Sequence, residues 1–276
     1  MGHRRRLRSA RRRILRDLNH ASAGDTRRPA VLFLHGFMGS SADWRGATAA
    51  LEGRYRTIAV DLPGHGASTG LPPESYTIKG ATRALLGILD GLGVERPVIV
   101  GYSMGGRLAL YLALRHPDRC SGLFLESASP GLEEGEARAG RRAADERRAA
   151  RLEAGGLEEF LRDWYRQPLF AQLARDGELL RRTLEARRKN DPNELAKSLR
   201  GMGTGSQPSL WGEVFGLRVP ALAVAGELDE KFVRILRRME GACPRIRTVV
   251  VPGVGHNAQA EAPGPYLSLL QGFLTA

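Results

Sequence analysis

A serine flanked by glycines stands where a short apolar run gives way to a helical pattern. Residues 98–106 read VIVGYSMGG, with Ser103 at the centre of a G-x-S-x-G motif. In such a strand-to-helix turn the backbone is strained, and larger side chains at the two glycine positions would clash. The serine hydroxyl then projects beside a helix N-terminus, which favours developing negative charge. The motif predicts that Ser103 takes part in catalysis.

An acid and a histidine follow in an order that would activate this serine. The motifs GELD and GVGH each come directly after an apolar run and end in Asp229 and His256. A neutral imidazole can accept the serine proton while a carboxylate fixes its tautomer and stabilises the cation. We therefore expect Ser103, Asp229 and His256 to form a catalytic triad. Glu126, also at a strand end, and Glu227 are alternative acids.

These residues need elements that bring several strand ends together. From residue 29 onward, short apolar runs alternate with helical-period segments, which is typical of βαβ units in a parallel sheet. The expected strands are 30–34, 57–60, 98–100, 122–125, 221–225 and 248–251. The expected helices are 43–51, 78–92, 104–115, 231–239 and 263–274. Because the strand runs are almost wholly apolar, we expect both faces of the sheet to be covered.

Residues 131–212 interrupt this alternation with amphipathic helices rich in Glu and Arg. The strand pattern then resumes, so we expect a core made of residues 29–130 and 213–276. The interrupting segment is expected to form a helical cap over the carboxyl ends of the strands, where ligands bind. The expected fold class is therefore α/β, with a mostly parallel sheet, flanking helices and a cap inserted between the two halves of the core.

The positive charge of the chain is concentrated at its start. Residues 1–20 hold eight arginines and one aspartate, whereas the whole chain has a formal net charge of +12. Such a segment could bind nucleic acid or anionic lipid, or act as a transit peptide, but we expect residues 1–28 to be a poorly ordered basic arm with no nucleic-acid partner. We expect no stable membrane insertion, because no apolar run approaches about 20 residues. Two distant cysteines favour a reducing compartment, so we expect a cytoplasmic monomer or small homo-oligomer.

Five motifs together resemble the α/β-hydrolase superfamily, and they are HGFMGSSADW, DLPGHGAS, GYSMGG, GELD and GVGHNAQAEAP. The resemblance covers residues 30–276 apart from the cap and implies the same fold and triad. It also implies an oxyanion hole formed by the backbone N–H groups of Phe37 and Met104. Because this fold hosts esterases, C–C hydrolases and lyases, the reaction depends on other residues.

Four further segments are similar to the family of 2-succinyl-6-hydroxy-2,4-cyclohexadiene-1-carboxylate synthases of menaquinone biosynthesis. They are GYSMGGR, DWYRQPLF, GMGTGSQPSLW and GELDEKF. The resemblance implies a lyase that eliminates pyruvate from a small-molecule tricarboxylate, 2-succinyl-5-enolpyruvyl-6-hydroxy-3-cyclohexene-1-carboxylate. It implies that the triad acts as a general base, that the oxyanion hole holds an enolate, and that neither a cofactor nor a metal is needed. That family usually begins with a short strand pair, and here the arginine-rich arm stands in its place.

Substrate carboxylates call for bidentate guanidinium partners. By the same resemblance, we expect Arg107, Arg141 and Arg187 to bind these carboxylates. We expect Tyr102 and Trp164 to line the pocket. Neighbouring alternatives for the two cap arginines are Arg138, Arg142 and Arg188. Two other functions stay open, a carboxylesterase or C–C bond hydrolase that uses the triad nucleophilically and a non-catalytic binding protein that works through its basic arm.

Overall fold

A computed structural model describes residues 18–276, so most of the expected basic arm lies outside the described residues. The strands are β1 His20–Ala23, β2 Ala30–Leu34, β3 Arg56–Val60, β4 Val98–Tyr102, β5 Gly122–Glu126, β6 Ala221–Gly226 and β7 Ile246–Val251. They form one sheet in the order β1-β3-β2-β4-β5-β6-β7. β1 is antiparallel to β3, and every other neighbouring pair is parallel. The expected α/β class with a mostly parallel sheet is confirmed.

The helices of residues 18–276 follow the expected alternation with the strands. Outside the cap they are α1 Arg45–Ala50, α2 Ile78–Gly91, α3 Met104–Arg115, α8 Glu230–Ala242, α9 Ala258–Glu261 and α10 Pro263–Thr275. Between β5 and β6 they are α4 Gly135–Glu153, α5 Leu157–Tyr165, α6 Gly177–Arg187 and α7 Pro192–Met202. All six expected strands are present, and so are the five expected core helices. The helix expected at 43–51 begins as a 3-10 turn at Ser41–Trp44 and continues as α1.

The first strand differs from the sequence-based expectation. His20–Ala23 pairs with the far edge of β3, and Leu18 before it is buried in the core. The expected arm of residues 1–28 is therefore too long, because residues 18–23 are part of the folded core. The strand HASA has no apolar run and its side chains are mostly exposed. Backbone pairing at a sheet edge holds it in place, and such pairing leaves no hydrophobic pattern in the sequence.

Alternating side chains on the central strands form two cores, one on each face of the sheet. On β2, Leu32 and Leu34 pack in the cluster that contains α2, α3 and α8. Val31 and Phe33 pack in the cluster that contains α1 and α10. Successive strand residues point to opposite faces, so covering both faces requires a continuous apolar strand. This explains why these strands could be recognised as unbroken apolar runs.

The cap helices form a third cluster of their own. Ala149 and Leu152 of α4, Phe160 and Leu161 of α5, and Leu195 of α7 meet there. Met38, from the loop after β2, is fully buried in the same cluster. That contact joins the cap to the carboxyl edge of the sheet. The cavity described below lies between these two layers.

Replacing Gly105 by alanine should destabilise the protein, because α3 packs against β2 without room for a side chain. A Cβ at Gly105 would overlap the backbone carbonyl of Leu34 and lie 2.6 Å from the carbonyl oxygen of His35. Overpacking of this kind costs about 1–3 kcal/mol, which a fall in Tm would report. Gly272→Ala in α10 is the control, because a Cβ there meets no atom within 4 Å. An unchanged Tm for Gly105→Ala would contradict the close packing.

Candidate active site

Ser103 occupies the sharp turn between β4 and α3. Its φ of 49° and ψ of −106° are unfavourable for a residue with a Cβ. Close backbone packing holds this turn, since a Cβ on Gly101 would lie 2.6 Å from the Cα of Gly106. The Ser103 N–H also donates to the carbonyl oxygen of Glu126 at 2.8 Å. The strained turn thereby presents the serine at the carboxyl edge of the sheet.

The structure brings Ser103, His256 and Asp229 into one hydrogen-bonded chain. Nε2 of His256 lies 3.2 Å from Oγ of Ser103, and Nδ1 of His256 lies 2.6 Å from Oδ2 of Asp229. Both His256 and Asp229 are buried. With Nδ1–H donating to the carboxylate, Nε2 is free to accept the serine proton. The arrangement is therefore able to remove a proton through Ser103.

Two side chains hold the loop that carries His256. The Ser127 hydroxyl donates to the His256 carbonyl oxygen at 3.0 Å. The Glu261 carboxylate accepts from the N–H groups of Gly255 at 2.6 Å and Asn257 at 3.1 Å. Burial raises the pKa of Glu261. Because these bonds fix the backbone on both sides of His256, they also fix the direction of its ring.

The two alternative acids contact other groups. Glu126 is fully buried, and its Oε1 accepts from the N–H of Gln259 at 3.1 Å. Burial raises the pKa of Glu126 to about 8, so this side chain is largely uncharged at neutral pH. Glu227 is exposed and accepts from the N–H of Gly253 at 2.9 Å. Asp229 is therefore the carboxylate that contacts the histidine.

Two backbone N–H groups are available beside the serine. Phe37 and Met104 line the same cavity as Ser103, and neither N–H donates a hydrogen bond to another atom of residues 18–276. The loop that carries Phe37 approaches the turn closely, since a Cβ on Gly36 would lie 2.6 Å from the ring of Tyr102. Two such donors next to a reacting carbonyl can stabilise an oxyanion.

A cavity of about 550 Å³ lies between the sheet and the cap, with Ser103 and His256 in its wall. Its positively charged wall residues are Arg107, Arg141, Arg148 and Lys231, and its aromatic wall residues are Phe37, Trp164 and Phe232. This volume is in the range of small-molecule sites. A cavity with several cationic groups is suited to a ligand that carries several negative charges.

Arg107 lies one helical turn after Ser103 and is mostly buried. Its Nη1 donates to Oε1 of Gln207 at 2.7 Å. Burial lowers the pKa of Arg107 to about 10, and the positive charge of Arg141 acts in the same direction. The guanidinium therefore stays charged at neutral pH beside a neutral amide. A buried cation in this setting favours an anionic ligand.

Arg141 and Arg148 share one buried carboxylate on α4. Nε of Arg141 donates to Oδ1 of Asp145 at 2.8 Å, and Nη1 of Arg148 donates to the same oxygen at 3.1 Å. One positive charge of the three side chains therefore remains unbalanced. Cζ of Arg148 also lies 5.8 Å from the ring centroid of Trp164. The cap side of the cavity is thus positively charged.

Arg187 contacts two protein side chains and does not line the cavity. Its Nη1 donates to Oδ1 of Asp43 at 2.8 Å and its Nε to the Tyr165 hydroxyl at 3.3 Å. Burial acts to lower the pKa of Arg187, but Asp43 and Tyr165 outweigh burial and raise it. A protein carboxylate therefore pairs with this guanidinium, and Arg187 is not among the residues that line the cavity. The contact between Arg187 and a substrate carboxylate stays a prediction.

Tyr102 also lies behind the wall, whereas Trp164 lies in it. The Tyr102 ring is buried, with its centroid 5.4 Å from that of His256. It supports the histidine and does not line the cavity, which corrects the expectation for this residue. The expectation that Trp164 lines the pocket agrees with the structure.

Sequence reasoning missed Arg148, Gln207 and Lys231 as cavity or partner residues. A signal for Arg148 existed, because it follows Arg141 by seven residues and thus lies two turns along the same helix face. Gln207 lies in the GMGTGSQPSLW segment, where it could have been considered as a partner for Arg107.

No group of three His, Cys, Asp or Glu side chains that could hold a metal ion occurs among residues 18–276. Within that range, no helix is both long enough and apolar enough to cross a membrane. Cys120 and Cys243 are buried free cysteines.

Known proteins resemble this chain in sequence and structure. Residues 29–263 match the family described as the alpha/beta hydrolase fold. The 2-succinyl-6-hydroxy-2,4-cyclohexadiene-1-carboxylate synthase of Salmonella heidelberg (strain SL476) is 36% identical over 85% of this chain and 89% of its own length. A Bacillus subtilis (strain 168) protein, whose name assigns it this activity provisionally, is 38% identical over 93% of this chain and 94% of its own length. The structure of MenH from S. aureus has a TM-score of 0.89 and 34% identity, and it covers 94% of this chain and 98% of that chain.

Asp229→Asn should slow the reaction of Ser103 with a fluorophosphonate probe by at least about 10²-fold, because the amide cannot hold the imidazole tautomer. Glu126→Gln should label at close to the wild-type rate, since Glu126 does not contact His256. Labelling rates measured by intact-protein mass spectrometry test this difference. Equal labelling of wild type and Asp229→Asn would contradict the assignment of the triad acid.

Glu126→Gln should stabilise the protein at alkaline pH. The pKa of Glu126 is raised from 4.5 to about 8 by burial, so the folded state binds this proton more tightly than the unfolded state. The protonated Glu126 side chain therefore contributes to the free energy of unfolding of the wild type at low pH. This contribution is lost as the pH rises from about 4.5 to about 8. The Tm difference between variant and wild type should therefore grow over this interval and then level off. A Tm difference that does not change with pH would contradict the raised pKa of Glu126.

Proposed function

This chain belongs to the alpha/beta hydrolase fold family and, within it, to the 2-succinyl-6-hydroxy-2,4-cyclohexadiene-1-carboxylate synthases, and we propose that Ser103, His256 and Asp229 perform its elimination step. The enzyme is a lyase of menaquinone biosynthesis. It eliminates pyruvate from the small molecule 2-succinyl-5-enolpyruvyl-6-hydroxy-3-cyclohexene-1-carboxylate. The family assignment defines the reaction, and the geometry of the cavity supports the residue roles.

One observation carries the assignment of these roles. Guanidinium groups and the hydrogen-bonded serine line the same cavity. The substrate carries three carboxylates, and its reacting carbon is adjacent to a ketone. A neutral ester would require only the serine, the histidine and the oxyanion donors. The buried cation of Arg107 and the partly balanced pair Arg141 and Arg148 have a purpose when the substrate is a polyanion.

The elimination begins with removal of a proton from the ring carbon that bears the succinyl ketone. Ser103 Oγ, whose own proton passes to Nε2 of His256, accepts the carbon-bound proton. The electron pair of the broken C–H bond moves through the ring double bond, and the C–O bond to the enolpyruvyl group breaks. Two conjugated ring double bonds remain. The leaving enolate takes one proton from His256 and becomes pyruvate, so atoms and charge balance without an acyl-enzyme.

The backbone N–H groups of Phe37 and Met104 stabilise the negative charge that develops on the ketone oxygen. Fixed donors are effective here because they need no reorganisation as charge develops, and losing one typically costs about 3 kcal/mol. The Asp229 carboxylate stabilises the imidazolium that exists while His256 holds the serine proton. Arg107 and Arg141 bind substrate carboxylates and thereby orient the acidic C–H bond towards the serine.

All of these residues come from one chain, so we propose that the activity needs no residue from a partner subunit. We also propose a cytoplasmic location. The buried free thiols of Cys120 and Cys243 favour it, because reducing compartments keep thiols reduced.

Pyruvate release from the synthetic substrate tests this function directly. Wild type should release one pyruvate per substrate, monitored with lactate dehydrogenase. Ser103→Ala should lower kcat by at least about 10²-fold, because the base is lost. Arg107→Gln should raise KM by about 10- to 100-fold, because a charge-assisted hydrogen bond to a carboxylate is lost. Arg115→Gln, at an exposed ion pair on the same helix, is the matched control and should behave as wild type.

Two results would contradict the proposal. Wild type that hydrolyses simple esters but releases no pyruvate would favour a serine hydrolase. A substrate-derived adduct on Ser103, detected by mass spectrometry during turnover, would show a nucleophilic mechanism.

A further inference from the structure

We propose that Arg148 binds the carboxylate at the end of the substrate's succinyl chain and that Phe37 and Trp164 cover the two methylene groups of that chain. The inference rests on the proposed function and adds a residue that neither the family motifs nor the triad predicts. Phe37, Trp164 and Arg148 line the same cavity, and Trp164 contacts both of the others.

Aromatic contacts connect Phe37, which carries an oxyanion donor, to Arg148. The Phe37 ring, whose backbone N–H stands beside Ser103, lies 5.3 Å from the Trp164 ring between centroids. Cζ of Arg148 lies 5.8 Å from the Trp164 centroid. Phe160 stacks on Trp164 at 5.6 Å and an interplanar angle of 19°, which holds the indole in place.

The succinyl chain has the matching sequence of groups. It begins at the ketone, whose oxygen is proposed to bind at the Phe37 N–H, continues through two apolar methylenes and ends in a carboxylate. An extended chain with a carboxylate–guanidinium contact bridges roughly 9–10 Å. The rings of Phe37 and Trp164 therefore suit the methylene groups, and the guanidinium of Arg148 suits the carboxylate.

The charge state of Arg148 also favours an additional anionic ligand. The side chain is about one-third exposed, and its Nη1 donates to Oδ1 of Asp145 at 3.1 Å. Asp145 is buried, and both of its carboxylate oxygens also accept from Nε of Arg141, at 2.8 and 3.0 Å. One carboxylate is thus divided between two guanidinium groups. A substrate carboxylate would balance the remaining positive charge.

With Arg148, the number of arginines in the cavity wall equals the number of substrate carboxylates. The substrate has three carboxylates, and Arg187, the third expected partner, is paired with Asp43 and does not line the cavity. Arg107, Arg141 and Arg148 are the arginines that line the cavity within residues 18–276. Each carboxylate can therefore have its own guanidinium.

The test compares Arg148→Gln with Arg147→Gln, which removes an exposed arginine next to it on α4. For Arg148→Gln, KM for the substrate should rise by about 10- to 100-fold with kcat within about threefold of wild type. Arg147→Gln should match wild type in both. Asp145 keeps its hydrogen bonds from Nε of Arg141 in Arg148→Gln, so the Tm of this variant should remain close to wild type.

A substrate analogue isolates the carboxylate itself. In the 2-butanoyl analogue, a methyl group replaces the succinyl carboxylate. For wild type, kcat/KM should be about 10- to 100-fold lower with this analogue than with the normal substrate. For Arg148→Gln, kcat/KM should be nearly the same with the two substrates. Arg147→Gln should discriminate like wild type.

The outcomes separate this inference from the proposed function. If wild type releases no pyruvate from the normal substrate, the proposed function fails. If wild type is active but Arg148→Gln keeps the wild-type KM, or still discriminates fully against the analogue, only the role of Arg148 is overturned. A loss confined to kcat would overturn it as well, because a carboxylate clamp acts on binding.

Discussion

The close approach of α3 to β2 and β4 is the contact on which the rest of the site depends. At Gly101 and Gly105 the backbones are too near for any side chain, and this proximity keeps Ser103 in a strained left-handed conformation. The serine and the first N–H of α3 are thereby fixed relative to the loop after β2. Asp229 and His256 follow β6 and β7 at the same edge of the sheet. Parallel strands thus assemble the triad, and the glycine contacts set its position.

The second determinant is the distribution of charge in the cap. Arg187 and Asp43 form a buried pair of nearly equal and opposite charge, and such a pair offers little to an anionic ligand. Arg107 has a neutral amide partner, and Asp145 is shared between two arginines. These groups leave positive charge inside the cavity of the free protein. A ligand with several carboxylates would balance it, which offsets the desolvation that burial of the guanidinium groups requires.

The core and the cap contribute different parts of the chemistry. The core provides a base and two oxyanion donors, and many reactions at a carbonyl could use these groups. The cap provides cations and aromatic surface, and these groups select the substrate. Within the core, Glu126 and Asp229 also differ in their contacts. Burial keeps Glu126 largely uncharged while it accepts a hydrogen bond from the backbone N–H of Gln259, whereas Asp229 contacts His256. Two acids at neighbouring strand ends therefore have different tasks because their surroundings differ.

The sequence by itself determined the fold, the strained turn at Ser103 and the order of the triad. Strands covered on both faces must be continuous apolar runs, and a tight turn must have glycine at its close contacts, so both leave local patterns. The sequence did not determine β1, because edge pairing through the backbone requires no particular side chains. It also could not show that Arg148 lines the cavity while Arg187 lies behind it. Arginines are frequent along the cap helices, and only the packing of α4 and α6 against distant segments decides which guanidinium meets a protein carboxylate and which meets the cavity.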